Sequence, residues 1–284
     1  MQYDVQWFPG HMAKARRQIG EALVLVDAVI EVCDARLPLG SRNADLSAWL
    51  EGKPRVIVMG KADLADPATS RRWCAHFTQA GDTALAVDSR TASAQVRAAL
   101  ADATSQAVER AANRGMKKTV RAMVVGAPNT GKSTLINALK GRAAAKTADR
   151  PGVTRGRQWI SASPYLELLD TPGVLPPKID DHETGILLAL LGFVRDAILD
   201  QESLAVELMR VLRNIAPASL EQRCKVDAAA LAGLDDDGAL LEEACIRRGF
   251  LLSGKRPDTA RGAAVFLDEF RRGAMGRLTL ESPP

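Results

Sequence analysis

Gly126-Ala127-Pro128-Asn129-Thr130-Gly131-Lys132-Ser133 is the stretch on which the reading of this chain turns. Thr119–Val125 before it is apolar and β-branched, and reads as a buried strand. Ser133–Leu139 after it opens a helix. Glycines let a backbone wrap closely and aim its amides at an anion. A lysine at the Lys132 position adds a fixed positive charge, and a hydroxyl at Ser133 suits a divalent cation. A glycine-rich turn that only caps a helix is the plainer alternative. The strand before and the helix after favour a phosphate loop, with Asn129, Thr130, Gly131, Lys132, Ser133 and Thr134 as nucleotide-binding candidates.

Downstream, Tyr165–Leu169 reads as a short buried strand that delivers Asp170-Thr171-Pro172-Gly173. A four-residue match of this kind is usually a turn. After a phosphate loop, Asp170 becomes a candidate to act on Mg²⁺ through water, and the Gly173 amide a sensor of a terminal phosphate. Between the two lies Arg150-Pro151-Gly152-Val153-Thr154-Arg155, which makes Thr154 a candidate for both Mg²⁺ and that phosphate. The metal set is therefore Ser133, Thr154 and Asp170.

Upstream, the strand Arg55–Met59 runs into Gly60-Lys61-Ala62-Asp63. A carboxylate at Asp63 can accept two hydrogen bonds from a guanine edge, which adenine cannot offer, and the Lys61 stem can lie along the base. An ordinary strand-to-helix loop is the alternative. Asp88-Ser89, after the strand Thr83–Val87, is a weaker candidate to back the base. A base-reading loop ordinarily comes last among such motifs. Here it comes first, so the parts are cyclically reordered.

The remaining elements follow by period. A helix is expected over Met12–Val26, a strand over Ala28–Cys33 and a helix over about 92–116. Strands alternating with helices predict a mainly parallel sheet covered on both faces. After Pro176-Pro177 the pattern becomes helical, over Ile186–Asp200, Ser203–Asn214, Gly238–Arg248 and Asp258–Arg272, with Asp258 as N-cap and Gly249 and Gly273 as C-terminal caps. The expected division is an α/β domain over 1–180 and an all-helical domain over 181–284.

Charge follows that division. Residues 1–180 carry 25 Lys/Arg against 17 Asp/Glu, while 181–284 carry 13 against 17. The block 105–160 holds twelve basic and two acidic residues, more than a nucleotide needs. A polyanion such as RNA is the partner that density suggests, and a solvated face is the bland alternative. The four cysteines, Cys33, Cys74, Cys224 and Cys245, form no CxxC pair, which fits a reducing compartment. The longest apolar run, Ile186–Val194, is too short to span a bilayer, and no basic-then-apolar leader opens the chain. A cytoplasmic protein off the membrane is expected, with nothing to suggest an obligate dimer.

These motifs together resemble the circularly permuted ribosome-assembly GTPases of the YlqF/RbgA type. The resemblance covers nearly the whole chain. It includes Trp7-Phe8-Pro9-Gly10-His11-Met12-Ala13-Lys14-Ala15, Asp34-Ala35-Arg36-Leu37-Pro38 and Arg150–Gly156. In the tail it includes Arg248-Gly249-Phe250-Leu251-Leu252, Arg256-Pro257-Asp258 and Glu269-Phe270-Arg271-Arg272-Gly273. It implies a permuted P-loop GTPase domain followed by a helical domain that contacts ribosomal RNA. It implies GTP hydrolysis in late maturation of the large ribosomal subunit, with Mg²⁺ and often K⁺, the latter held with help from Asn129. GTP or GDP, the large subunit and its RNA are the implied partners, with a monomer off the ribosome.

Two departures matter. The family pattern has Asn where this chain has Gly60, which removes a bond to the purine and a brace on the phosphate loop. Val174 and Leu175 follow Gly173 where many GTPases carry a glutamine that orients water. The resemblance makes His11 the stand-in catalytic residue, with a loop or RNA role as its alternative. A nucleotide-gated RNA-binding scaffold with negligible hydrolysis, or a less specific NTPase on another RNA, are the competing functions. Only a short Pro-containing tether separates Gly173 from the helical domain, so loss of the terminal phosphate is expected to reorient that domain.

Overall fold

The computed structural model describes residues 17, 19–43, 46, 49, 50, 52–144, 159–171, 181–194, 199–234 and 236–284. They fall into two compact units. One gathers the described residues between Val5 and Ile179 with Glu281–Pro284, and the other those between Asp180 and Leu280.

Six strands build the first unit: β1 (Ala28–Asp34), β2 (Arg55–Gly60), β3 (Thr83–Ala86), β4 (Val120–Gly126), β5 (Trp159–Ser163) and β6 (Leu166–Asp170). They lie in the order β3-β2-β1-β4-β6-β5. The β3–β2, β2–β1, β1–β4 and β4–β6 ladders are parallel, and β5 joins β6 antiparallel. Strand β5 was not expected from sequence. It alternates, with Ile160 and Ala162 inward and Ser161 outward, over a run too short to stand out.

The sheet is covered on both faces. In β1, Ile30 and Val32 pack with Val96, Leu100, Leu135 and Leu139, while Val29 points the other way, onto Ile19, Ala22, Leu46 and Leu50. The helices named in this unit are α1 (Pro67–Gln79), α2 (Ser93–Ala103), α3 (Ser105–Ala112) and α4 (Lys132–Ala144), of which α1, α2 and α4 pack on the sheet. Helix α1 also escaped the sequence reading, although its start is marked. Asp66 caps it by accepting from the Thr69 amide at 2.6 Å, and Pro67 follows. Trp73 and Phe77, one turn apart, stack at 5.4 Å and bury its inner face. The single helix expected over 92–116 is two. Thr104 breaks it at φ −108°, its hydroxyl donating back to the Leu100 carbonyl at 2.7 Å. Of the helix expected over Met12–Val26, the described part is helical over 19–23 and turns at Val24-Leu25.

The second unit holds α5 (His182–Leu190), α6 (Gln201–Ile215), α7 (Ala228–Ala232), α8 (Asp237–Arg247) and α9 (Thr259–Arg271). Leu204, Leu208, Leu212, Leu240, Phe266 and Leu267 form its buried centre. Helix α5 begins earlier than the expected Ile186 and ends at Leu190. Asp181 caps its start by accepting from the Glu183 and Thr184 amides, and Arg271 donates to the carbonyls of Ala189 and Leu190 at its end. Asp258 caps α9 through the Arg261 amide at 3.1 Å. The tail motifs are structural ties in this unit. Arg248 forks onto Glu269 at 2.9 and 3.2 Å, and the Asp258 amide bonds the Phe250 carbonyl.

Candidate nucleotide site

Three of the sequence motifs leave the sheet at one edge. Gly60 ends β2, Gly126 ends β4 and Asp170 ends β6, and the register pairs Asp34 with Gly60, Val32 with Gly126 and Val124 with Asp170. Segments far apart along the chain therefore emerge side by side at the carboxyl ends of parallel strands, where open α/β sheets place their ligands.

The phosphate loop starts with a close approach. A Cβ on Gly126 would lie 2.1 Å from the Val32 carbonyl oxygen, at a φ of +145°. Only glycine lets β1 and β4 run together to their ends. Asn129 then takes a left-handed turn at φ +61°, a conformation asparagine tolerates. The Thr130 hydroxyl and the Lys132 amine both donate to the Ala127 carbonyl, at 2.9 and 2.6 Å. Ser133 and Thr134 stand exposed on the first turn of α4, beside its free amides.

Lys132 and Asp170 set the electrostatics. Burial pushes the Lys132 ammonium down to about 8, and the nearby Asp170 charge opposes that. Burial likewise raises the Asp170 carboxyl, against the pull of Lys132. Thr171 pins the end of β6 by donating to the Val124 carbonyl at 2.7 Å. A partly desolvated cation at the head of a helix is an anion site. A carboxylate held above its usual range gains from any further cation. With the Ser133 hydroxyl, it offers hard oxygen donors suited to Mg²⁺. No cluster of three or more His, Cys, Asp or Glu occurs among the described residues.

The base-reading candidates sit next to this loop. Lys61, at φ +57°, holds its amine 3.0 Å from Asp34 Oδ2. Asp34 is fully buried and also takes the backbone amide, Nε and Nη2 of Arg36 at 2.9–3.0 Å. Burial pushes its carboxyl up, but Arg36 and Lys61 prevail and hold it below the usual range. The Ala62 amide bonds the Val87 carbonyl at 3.2 Å, tying the loop to the strand that delivers Asp88 and Ser89. Asp63 Oδ2 accepts from Arg90 at 2.9 Å, and Arg90 also forks onto Asp88 at 2.7–3.0 Å, which depresses the Asp88 carboxyl.

Gly60, the position that departs from the family pattern, is where the two loops touch. A Cβ there would meet Ser89 Oγ at 2.8 Å and the Thr130 carbonyl at 3.0 Å. A Cβ on Gly131 would meet the same Ser89 hydroxyl at 3.2 Å. Ser89 is 5% exposed, and its Oγ has no hydrogen-bond partner among the described residues. The serine fills the corner where a larger side chain at 60 would project.

Gly60, Lys61, Ala62, Asp63, Asp88, Ser89, Asn129, Thr130, Gly131, Lys132, Ser133, Thr134 and Asp170 all lie at this edge or in the loops leaving it. His11, Thr154 and Gly173 lie outside the described residues, as do the 7–15 and 150–156 motifs. The sequence reading missed the brace Asp34–Arg36 on Lys61 and the bridge Arg90 on Asp63. The signal for the first was an Asp-x-Arg at the end of a buried strand.

Comparison with known proteins agrees with this fold. Residues 121–221 match the family model described as 50S ribosome-binding GTPase. The chain is 39% identical to Ribosome biogenesis GTPase A of Bacillus cereus, over 98% of this chain and 94% of that one. It is 40% identical to the protein of that name from Priestia megaterium, over 98% and 97%. Among solved structures, GNP-bound YlqF from T. maritima superimposes with a TM-score of 0.63 at 28% identity, over 95% of this chain and 98% of that chain. Among the described residues no helix is long and apolar enough to cross a membrane.

Proposed function

The chain belongs to the ribosome biogenesis GTPase A family, a circularly permuted GTPase fold, and from that membership we propose how its own residues work. It binds GTP, hydrolyses it and serves ribosome assembly. The observation that supports this site reading is the close approach of Gly60 to Ser89 and Thr130, which sets the loop proposed to read the base beside the loop proposed to hold phosphate.

In this reading Asp63 accepts from the guanine edge, Lys61 lies along the base, and Asp88 and Ser89 line its far side. The amides after Asn129 and the Lys132 ammonium hold the phosphates. Ser133, Asp170 and Thr154 hold Mg²⁺, which neutralises phosphate charge when bound, and Asn129 helps hold K⁺. Gly173 reads the terminal phosphate and His11 orients the attacking water. The partner is the large ribosomal subunit, in late maturation, with the helical domain over 181–284 on ribosomal RNA. The protein acts as a cytoplasmic monomer between encounters.

The test is GTP hydrolysis with and without purified large subunits. Phosphate release stimulated by the subunit, and slowed by His11→Ala without loss of nucleotide binding, is the expected result. No release in either condition would leave a nucleotide-gated scaffold in its place. Unchanged turnover in His11→Ala would remove the catalytic role of that histidine alone.

A further inference from the structure

At the opposite edge of the same sheet, where β4 and β6 begin, a groove of about 480 Å³ opens beside α2 and α3. Leu100, Val108, Val120 and Leu166 line it, and Tyr165, 66% exposed, stands at its side. Helix α3 buries none of its residues. The segment that brings Glu109 and Lys118 to the groove wall is strongly basic along the chain: 105–121 carries Arg110, Arg114, Lys117, Lys118 and Arg121 against Glu109 alone.

Two of these cations are paired with carboxylates. Lys118 pairs with Asp27 at 2.8 Å and Arg121 with Glu167 at 2.9 Å. Arg97, in the groove wall, is committed to the carbonyls of Leu139 and Ala162. Arg110, Arg114 and Lys117 are exposed, and among the described residues no carboxylate pairs with them. An apolar segment of a protein would fit the groove but would leave those three charges uncompensated. A polyanion compensates them, and one with flat apolar rings also fills the groove.

We propose that this face binds single-stranded RNA, one unstacked base lying in the groove against Tyr165 and the neighbouring phosphates on Arg114 and Lys117. Exposed bases are the form in which RNA offers rings for stacking, and a duplex hides them. The surface deepens the ribosome-assembly reading and rests on it for the source of the RNA. It lies at the edge of the sheet opposite the phosphate loop, so RNA and nucleotide bind without competing.

The test uses the full chain with saturating GDP and a short fluorescent single-stranded oligoribonucleotide. Binding is read by anisotropy and the contact mapped by ultraviolet crosslinking. Crosslinks at Tyr165 or within 114–118 are expected. Tyr165→Ala should weaken binding at least about fivefold, the low end for one stacked base. Arg114→Ala and Lys117→Ala should each weaken it and flatten its salt dependence by about 0.7 in the log–log slope. All three side chains are exposed, so the fold survives their loss. Crosslinks confined to the helical unit, or a Tyr165→Ala affinity equal to wild type, would overturn the proposal. So would protection of the groove on large subunits that persists after ribonuclease digestion, which would assign it to a protein. Basal GTP hydrolysis on the same samples separates the two readings, since its absence strikes the GTPase function and leaves the groove result standing.

Discussion

The carboxylate of Asp34 reaches the amine of Lys61 at 3.0 Å, across the join between two parallel strands. Lys61 has left-handed backbone torsions that a side-chain-bearing residue adopts only when its surroundings over-determine them. The buried fork of Asp34 and Arg36 supplies that determination from the neighbouring strand. The loop carrying Asp63 is therefore fixed by the sheet.

Asp34→Ala should destabilise the chain by about 3–5 kcal/mol, because it leaves the Arg36 guanidinium, 4% exposed, without its counter-charge. Urea unfolding measures it. Asp34→Asn gives the pH signature. A carboxyl held below its usual range contributes stability that is complete above about pH 4, its unfolded value, and disappears as pH falls through the folded value. The gap between wild type and Asp34→Asn should be constant from neutral pH to about 5 and close in acid. A gap that widens in acid would mean the carboxyl is neutral in the folded chain.

Gly60 and Ser89 form a coupled pair. Restoring asparagine at 60 looks from the sequence like a simple gain of a hydrogen bond worth about 0.5–1.5 kcal/mol. The geometry argues otherwise, since its Cβ would sit 2.8 Å from Ser89 Oγ. Gly60→Asn alone should not tighten GTP binding. Gly60→Asn with Ser89→Gly, which removes the hydroxyl and leaves the Thr130 carbonyl at 3.0 Å, should bind GTP more tightly than Gly60→Asn alone. A double-mutant cycle in nucleotide affinity reads the coupling, and strict additivity would show that the two positions do not contend for one space.

How far the sequence reveals this site depends on whether each feature is local. The strand, Gly126–Ser133 and helix are contiguous, so a loop that needs all three was readable. Asp181 and Asp258 were equally exposed as caps by their place before an apolar run, though only the second was used. The contact of Gly60 with Ser89 and Thr130 depends on the register of β2, β3 and β4, which no short window records. The same holds for Asp34 with Lys61. Strand β5 was lost because an edge strand with only Ile160 and Ala162 inward carries too few apolar residues to set a period.

Arg90 bonds the Asp63 oxygen that a guanine edge would need. The pair is exposed, 66% and 37% by side chain, so solvent and salt screen it and it holds the carboxylate only weakly. Arg90→Ala should free the carboxylate and tighten GDP binding by no more than about fivefold at low ionic strength, the gain fading at high salt. Titration of a fluorescent GDP at two salt concentrations decides it. Weaker binding in the variant would mean that Arg90 supports the base.

Lys132 makes nucleotide binding sensitive to alkali. Its ammonium, pushed down to about 8 by burial, is mostly charged at pH 7 and mostly neutral at pH 9. Phosphates favour the charged form, so the bound-state value is higher and binding takes up a proton in that window. The sign follows: GDP affinity is greatest below pH 8 and falls above it, by at most tenfold per pH unit. Calorimetry at pH 8 in two buffers of different ionisation enthalpy should show the proton uptake directly. Lys132→Arg keeps its charge throughout, so it should bind less well at pH 7, where the longer fork misfits, yet show a flat profile to pH 9. A flat profile in the wild type would place the ammonium in water, away from the desolvated position beneath the phosphate loop.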